Sequence, residues 1–312
     1  MNIERLVVRC SIFKNSKFQN CSFRFRNHSP NHQIILYFCL MAKKKVAPKL
    51  KRRSKPLILV TNDDGINSPG IRVLVEVMQE LGDVIVVAPD SPQSGMGHAI
   101  TIENPLRLER VQVFEGIESY ECSGTPVDCV KLAVDKIIRG KPDLCVSGIN
   151  HGSNSSINVI YSGTMSAAVE AAIEGITAVG FSFLNYAHDA SLALPRRVVR
   201  DVAKQILKNG LPKNILLNVN IPSIPESKYK GIRICRQAVA KWEEEFTERV
   251  DPRGKKYYWL TGKFVNYDRG DDTDEWALTN GYASIVPVQY DLTAHHAIPY
   301  INNNWKLHGE EK

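Results

Sequence analysis

Short apolar runs alternate with helix-type patterns along most of this chain. Residues 57–60 and 83–88 are runs of β-favouring apolar residues, and between them apolar residues recur at helical spacing until Gly82. Fully apolar strands joined by a helix are typical of a parallel sheet with helices packed on its faces. The first third of the chain therefore predicts an α/β fold.

The same alternation continues over the next 120 residues. Thr125 and Pro126 have the residue types of a helix N-cap and first turn. The further predicted helices are 165–174 and 195–208, and the further predicted strands are 143–147, 177–183 and 215–219. Together these elements predict a Rossmann-like, doubly wound and mostly parallel sheet. The chain contains neither a G-x-G-x-x-G nor a Walker A sequence, so dinucleotide binding and P-loop chemistry lose their usual support.

Beyond Pro222 the pattern changes. Residues 242–259 are polar, rich in charge and aromatic side chains, and interrupted by Gly and Pro, which predicts an extended hairpin within a protruding region at about 236–281. A long hairpin cannot bury its apolar side alone, so we expect it to pack on another subunit. The apolar run 282–288 predicts a returning strand.

Charge is distributed unevenly over the 312 residues. Of the 40 Lys and Arg residues, 14 lie in residues 1–56, where Glu4 is the one acidic residue; residues 57–312 hold 26 basic and 32 acidic residues. The net charge of +7 thus reflects the N-terminal segment, and the body is mildly acidic. The overall charge therefore does not indicate that the body binds nucleic acid, because the positive charge comes from the N-terminal segment.

Residues 1–56 form a basic extension that we expect to be disordered. Residues 1–40 show neither helical nor strand periodicity, and the apolar run 34–41 is too short to span a bilayer. Met41 opens a short basic sequence that leads into the first predicted strand, so we expect translation to begin there. The folded body is then residues 57–312.

Seven cysteines are present, and none of those in the body forms a C-x-x-C pair. Cys129 and Cys145 lie among apolar residues. This usage is typical of reduced, buried thiols and predicts a cytoplasmic protein rather than a disulfide framework or a zinc site.

Two adjacent carboxylates, Asp63 and Asp64, follow the first apolar run, in the sequence TNDDG. In an open α/β sheet, ligands bind beyond the carboxyl ends of the strands. Neighbouring carboxylates that lose water stay ionised together only when a cation or strong donors compensate them, and oxygen ligands suit Mg²⁺ or Mn²⁺. An Asx-rich turn without a metal is the alternative for this motif taken alone.

Three more segments reach the same predicted edge. Ser94 in a long polar loop could supply a neutral oxygen, although a serine before glycine is commonly a turn residue. Asn150 follows the strand 143–147. Ser162, Gly163 and Thr164 begin a helix, where hydroxyls, backbone N–H groups and the positive end of the dipole can hold a phosphate. A plain N-cap is the alternative for this last segment.

Seven segments, in order and covering roughly residues 57–298, resemble the SurE family of survival-protein nucleotidases. They are LVTNDDGINSPGI, VVAPDSPQSG, SGTPVDCV, VSGINHGSN, YSGTMSAAVEA, DPRGKKYYWL and GYASIVPVQYDLTAH. The resemblance implies a metal-dependent phosphomonoesterase that acts on nucleoside 5′- and 3′-monophosphates, with one divalent metal ion per subunit. It also implies a C-terminal hairpin exchanged between subunits of a homodimer or homotetramer.

The resemblance also implies roles for particular residues. The metal ligands map to Asp63, Asp64, Ser94 and Asn150, and the phosphate-contacting positions map to Asn62, Gly95, Asn154, Ser162, Gly163 and Thr164. Asp63 is the first candidate for orienting or deprotonating the nucleophile, and Asp64 acts mainly as a ligand. His98, in a segment where many family members carry small polar residues, is either a loop residue or a further substrate-contacting or proton-transfer group. Whether water or a carboxylate attacks phosphorus stays open.

Other classes of protein are weighed against this hypothesis. Haloacid-dehalogenase-type phosphatases and Rossmann-like glycosyltransferases use D-x-D, whereas Asp63 and Asp64 are adjacent. A nucleotide-binding or nucleic-acid-binding module without catalytic activity is suggested only by the basic extension, and a membrane protein is not indicated.

Deleting residues 1–56 separates an enzyme from a nucleic-acid-binding module. We expect the truncated chain to keep its phosphatase activity, because the predicted site lies wholly in residues 57–312. Activity assays and salt-dependent nucleic-acid titrations on both chains provide the measurement. Loss of a strongly salt-dependent nucleic-acid affinity, with no phosphatase activity in either chain, would contradict the enzyme hypothesis.

Overall fold

The structure is a computed structural model that describes residues 10–14, 17–21, 54–187 and 189–305, in two units, 1–52 and 53–312. In the first unit, β1 (Cys10–Lys14) pairs antiparallel with β2 (Lys17–Cys21). The sequence pattern predicts no strand here, because neither CSIFK nor KFQNC alternates strictly between apolar and polar residues. The expected start at Met41 and the rest of the basic extension to residue 53 lie outside the described residues, so the disorder expected there stays a prediction.

The second unit is built on a nine-stranded sheet. Its strands have the order β10-β13-β9-β8-β7-β3-β4-β6-β5. Strands β9, β8, β7, β3, β4 and β6 are parallel, β5 and β13 run antiparallel to their neighbours β6 and β9, and β10 is parallel to β13. The nine strands of this sheet are β3 (Leu57–Thr61), β4 (Asp83–Pro89), β5 (Leu108–Val111), β6 (Glu118–Cys122), β7 (Leu144–His151), β8 (Ala178–Phe183), β9 (Ile215–Ile221), β10 (Ile232–Ile234) and β13 (Ala283–Gln289). Strands β11 (Ala240–Val250) and β12 (Lys256–Asn266) form a separate two-stranded sheet.

Helices cover both faces of this sheet. One buried apolar cluster joins α1 and α4 to one face, and a second joins α2 and α3 to the other. The helices are α1 (Pro69–Gln79), α2 (Pro126–Leu132, continued by a π-helical turn Ala133–Ile138), α3 (Gly163–Ile173), α4 (Ala193–Asn209), α5 (Asp274–Thr279) and α6 (Ala297–Asn304), with 3-10 turns at Ser156–Ile160 and Glu226–Lys228. The predicted doubly wound, mostly parallel sheet is confirmed.

The predicted start of α2 is also confirmed. The Thr125 side chain accepts a hydrogen bond from the Asp128 backbone N–H, and the Asp128 carboxylate accepts one from the Thr125 backbone N–H. This capping box satisfies two donors that the first turn of a helix leaves without partners. Pro126 occupies the first helical turn, where its missing N–H costs nothing.

Strand β7 is longer than predicted. The apolar run ends at Ser147, but the strand continues to His151, with an irregular register between Ser147 and Asn150 and a cis Gly148–Ile149 peptide. Asn150 therefore lies opposite Ser182 of β8 rather than in a loop. The sequence pattern does not reveal this extension, because residues 148–151 are held in the strand by pairing with β8 and do not form an apolar run.

The predicted hairpin is formed by β11 and β12. Their antiparallel pairing runs from Ala240 opposite Asn266 to Val250 opposite Lys256. Several of its large apolar side chains are exposed, among them Trp259 at 62%.

The four cysteines of the second unit, Cys122, Cys129, Cys145 and Cys235, are buried free thiols, as predicted. None of the helices within the described residues combines the length and the apolar content that a transmembrane span requires.

Gly70 in the first turn of α1 tests how closely that helix packs on β7. A methyl group at Gly70 would lie 2.1 Å from the backbone oxygen of Ile149. We expect Gly70→Ala to lower the free energy of unfolding by about 1–3 kcal/mol, because backbone must shift to admit the methyl group. Urea denaturation followed by circular dichroism provides the measurement.

Gly140→Ala is the matched control. Its added methyl group would meet its nearest neighbour, the Ile138 carbonyl oxygen, at 3.9 Å, and we expect no comparable loss. Equal stability of the two variants would contradict the close packing of α1 on β7.

Candidate active site

The predicted site residues lie where the sheet changes its winding direction. Strand β3 is flanked by β4 on one side and β7 on the other. The helix that follows β3 packs on one face, and the helix that follows β7 packs on the opposite face. A crevice forms at such a switch point, and it receives the segments that follow all three strands.

Asp63 is buried in this crevice at 3% exposure. Its carboxylate accepts hydrogen bonds from the hydroxyl and the backbone N–H of Thr164 at the start of α3. Burial, and next the charge of Asp64, raise the pKa of Asp63 to about 6, while the bonds from Thr164 oppose the rise. The pKa of Asp63 thus lies close to neutral pH. A nearby positive charge would lower this pKa and keep the carboxylate fully ionised.

Asp64 lies next to it and is partly exposed. The backbone N–H of His151, at the end of β7, points to Asp64 Oδ2 at 3.4 Å. This contact places Asp64, which follows β3, next to His151, the residue after Asn150. Asp64 and the end of β7 therefore belong to one group, as the sequence predicts.

The start of α3 lies directly against Asp63. A methyl group added to Gly163 would be 2.7 Å from Asp63 Cβ, so only glycine permits this approach. Ser162 is the N-cap, and its hydroxyl accepts from the Met165 backbone N–H at 3.0 Å. The helix start is thus partly occupied: Thr164 donates to Asp63, and Met165 donates to its own cap.

Ser94 and Gly95 are exposed at the tip of the loop that follows β4. The preceding residue, Gln93, donates its backbone N–H to the carbonyl of Asp63 at 2.7 Å. This bond places Ser94 one residue from the Asp63 backbone. Gly95 has a φ of +75°, a left-handed conformation that glycine adopts without strain.

Asn150 and Asn154 lie on the segment that leaves β7. The Asn150 amide donates to the Gly152 carbonyl at 3.0 Å, which leaves its side-chain oxygen available as an acceptor. The Asn154 amide donates to Ser182 Oγ at 2.8 Å. One of the two side-chain donors of Asn154 is therefore engaged, and its predicted contact with phosphate stays a prediction.

Asn62 is fully buried and shapes the turn after β3. Its amide donates to the Gly65 carbonyl at 2.9 Å and to Ser68 Oγ at 2.8 Å. Both amide protons are thus used within the turn that carries Asp63 and Asp64. A contact of the Asn62 side chain with phosphate likewise stays a prediction.

A buried asparagine network supports the segment after β7, and sequence reasoning missed it. Asn220 accepts from the Asn154 backbone N–H at 2.8 Å and donates to Asn218 at 2.9 Å, and Asn218 donates to the Asn154 carbonyl at 2.8 Å. Asn218 and Asn220 interrupt the apolar strand ILLNVNI. Two amides in a buried strand are the signal that could have indicated a polar partner.

Asp274 of α5 supports the same segment and was also missed. Its carboxylate accepts from the backbone N–H groups of Ser156 at 2.7 Å and Ala238 at 2.9 Å. Burial raises the pKa of Asp274, and these bonds oppose the rise. Asp274 therefore joins the site segment to the residues that enter the hairpin.

His98, considered either a loop residue or a further substrate-contacting or proton-transfer group, pairs with a second buried carboxylate. Its Nε2 lies 3.0 Å from Glu170 Oε2 in the middle of α3. Glu170 also accepts from Lys131 of α2 at 2.7 Å. The sequence contains no local signal for this cluster, since its members come from three separate segments.

The donor set of the site suits a hard cation. Within the described residues, no group of three or more His, Cys, Asp and Glu side chains is placed to hold a metal ion. A cation at Asp63 and Asp64 would therefore need neutral oxygens as well, and Ser94 and Asn150 lie at or beyond the ends of the two strands next to β3. Such an all-oxygen set fits Mg²⁺ or Mn²⁺ rather than zinc.

Comparisons with known proteins agree on one family. The family model described as "Survival protein SurE" matches residues 58–244. The protein named 5′-nucleotidase SurE from Christiangramia forsetii is 65% identical over 82% of this chain and 98% of its own length. The protein of the same name from Flavobacterium psychrophilum is 64% identical over 81% of this chain and 99% of its own length.

A solved structure gives the same result. The crystal structure of the SurE protein from Aquifex aeolicus shares 38% sequence identity with this chain and superposes with a TM-score of 0.70. The match covers 80% of this chain and 99% of the Aquifex chain.

Thr164→Val tests the bond that holds Asp63. At pH 8 a carboxyl group with a pKa of about 6 is ionised, and the variant removes its buried hydroxyl donor. We expect the free energy of unfolding to fall by about 1.5–3 kcal/mol, the contribution of a hydrogen bond to a charged group. Urea denaturation at pH 8 measures it.

Thr164→Ser keeps the donor and loses one methyl group, so we expect a loss of about 0.8 kcal/mol. Equal losses in the two variants would show that the hydroxyl does not stabilise Asp63.

Proposed function

Since the chain belongs to the SurE family, we propose that it is a metal-dependent phosphomonoesterase that hydrolyses nucleoside 5′- and 3′-monophosphates to nucleosides and phosphate. Family membership supports the enzyme class, because the curated relatives are named 5′-nucleotidases. The proposal adds two properties that the names of these relatives do not state, which are metal dependence and action on 3′- as well as 5′-phosphates.

The observation that carries the proposal is the contact between Asp63 and the start of α3. It joins a buried carboxylate to a helix N-terminus, through Thr164 and the close approach of Gly163. A phosphate bound there meets hydroxyls, N–H groups and the positive end of the helix dipole. The neighbouring carboxylates would repel the phosphate unless a cation neutralised them, so phosphate binding at this helix start would be favoured by a metal ion held by Asp63 and Asp64.

Asp63, Asp64, Ser94 and Asn150 would hold this cation, one per subunit. When bound, Mg²⁺ or Mn²⁺ supplies positive charge that polarises the phosphoryl group and makes a bound water more acidic. The raised pKa of Asp63 supports the assignment, because its carboxylate is buried beside the negative charge of Asp64 and a cation would neutralise that charge.

The other roles fall to the chain's own residues. Asp63 orients the nucleophile or takes its proton, while Asp64 acts mainly as a ligand. Ser162, Gly163 and Thr164 bind phosphate oxygens and stabilise the charge that grows on them, assisted by Asn62, Gly95 and Asn154. Thr164 would then exchange one bond to Asp63 for one to the substrate.

The hairpin supports assembly into a homodimer or homotetramer. Its large apolar side chains remain exposed in the single subunit, with Phe246 at 64% and Leu260 at 61%. Exposed apolar residues in such number mark an interface between proteins. The buried free thiols support a cytoplasmic location. The mildly acidic body gives no electrostatic support for a nucleic-acid partner.

Asp63→Asn tests the assignment of the catalytic carboxylate. We expect kcat/KM for nucleoside monophosphates to fall by about 10³-fold, because the variant loses both a ligand charge and a proton acceptor. Asparagine can still accept from Thr164, so the fold should be kept. Phosphate release from a panel of 5′- and 3′-monophosphates, with Mn²⁺, Mg²⁺ or a chelator, measures the effect.

Asp83→Asn is the matched control. Asp83 is exposed at the opposite end of the strands, where β4 begins, and we expect this variant to keep full activity. Near-wild-type hydrolysis by Asp63→Asn would refute the assignment, and hydrolysis that persists in chelator would refute the metal dependence.

A further inference from the structure

The loop that carries Ser94 is held on both sides of a three-residue tip. On the incoming side, Gln93 donates to the Asp63 carbonyl at 2.7 Å. On the outgoing side, Gly97 donates to the Tyr161 carbonyl at 3.2 Å. Residues 94 and 95 form a turn between these two bonds. The residues on either side of the tip therefore set its position.

His98 follows Gly97 directly, and its side chain is a further anchor of the loop. It contacts Glu170, which is 3% exposed and also bound to Lys131. The hydrogen bond from His98 is the largest influence on the pKa of Glu170, which is lowered although burial opposes the change. Glu170 therefore presents a fixed, ionised acceptor to the loop.

One rigid element connects this anchor with the carboxylates. Thr164 and Glu170 lie on α3, six residues apart, which is roughly 9 Å along the helix axis. Thr164 binds Asp63, and Glu170 binds His98. Helix α3 thus sets the spacing between the carboxylates after β3 and the loop after β4.

The rest of the loop is fixed independently of His98. The Ala99 carbonyl accepts from Thr125 Oγ1 at 2.8 Å, and the Thr101 backbone N–H donates to the Asp128 carboxylate at 3.2 Å. If His98 is removed, Glu170 keeps Lys131 as a partner and the downstream chain keeps its bonds to α2. Loss of His98 would leave the Gly97 bond, at 3.2 Å, as the hydrogen bond between the tip and Ala99. It should therefore loosen the outgoing side of the tip without unfolding the domain.

We propose that His98 is a positioning residue whose contact with Glu170 holds the Ser94 loop over Asp63 and Asp64, and so determines the affinity for the divalent ion. This inference rests on the proposed function, since it takes Ser94 as a ligand. His98 itself touches neither metal nor substrate in this role. It acts on the rate only through occupancy of the metal site.

The test compares His98→Ala with His98→Gln, whose Nε2 can replace the histidine donor. We expect His98→Ala to weaken Mn²⁺ binding to the metal-stripped full chain by about tenfold, the loss of one hydrogen bond to a charged group. Isothermal titration measures this affinity directly. The Mn²⁺ concentration for half-maximal activity should rise equally, while kcat at saturating Mn²⁺ stays unchanged. His98→Gln should restore both values.

Lys131→Ala is the matched control, because it removes the other partner of Glu170 without touching the loop, and Mn²⁺ affinity should be unchanged. His98→Asn, whose amide is too short to reach Glu170, replaces His98→Ala if the alanine variant does not fold.

Wild-type Mn²⁺ affinity in a folded His98→Ala or His98→Asn variant would overturn the inference. So would a fall in kcat at saturating Mn²⁺ with unchanged affinity, since His98 would then act in the chemistry. If the wild-type chain itself bound no Mn²⁺, the metal part of the proposed function would fail, and this inference with it. Binding that is indifferent to His98 removes the inference alone.

Discussion

The structure depends on the burial of one carboxylate against the N-terminus of one helix. Asp63 leaves water at the end of β3 and receives in exchange the hydroxyl and backbone N–H of Thr164. Gly163 permits this approach because it has no side chain. The arrangement fixes α3 against β3, and it leaves a carboxylate whose ionisation depends on what else enters the crevice.

Buried polar side chains give the site a second layer. Asn218 and Asn220 hold the backbone of Asn154, and Asp274 holds that of Ser156. The Ser156 hydroxyl in turn donates to the Ala238 carbonyl at 2.9 Å, at the base of the hairpin. Buried networks of this kind rigidify the segment they hold when their members are satisfied. The segment after β7 is thereby joined to the part of the chain proposed to meet another subunit.

Sequence reasoning predicted the central strands of the sheet, because strands buried on both faces are mainly apolar. It placed Asp63 and Asp64 after β3, and the start of a helix at residues 162–164, correctly. It ended β7 too early, since Asn150 is held by pairing with β8. It could not find the contact between His98 and Glu170 or the role of Asp274, because such pairs join segments far apart in the chain and have no local pattern. The ligand roles themselves stay predictions.

Helix α3 packs on the sheet through small side chains. Ala167, Ala168, Ala171 and Ala172 are all buried there, and Gly180 of β8 leaves room for Met165. An alanine methyl group has no rotamers to exchange, so its packing adds no side-chain entropy to be lost or recovered. The distance between the start of the helix and the strand ends is consequently governed by main-chain contact. Thermal motion of side chains should disturb that distance little, and the dipoles at the helix start remain aimed at one point before any ligand arrives.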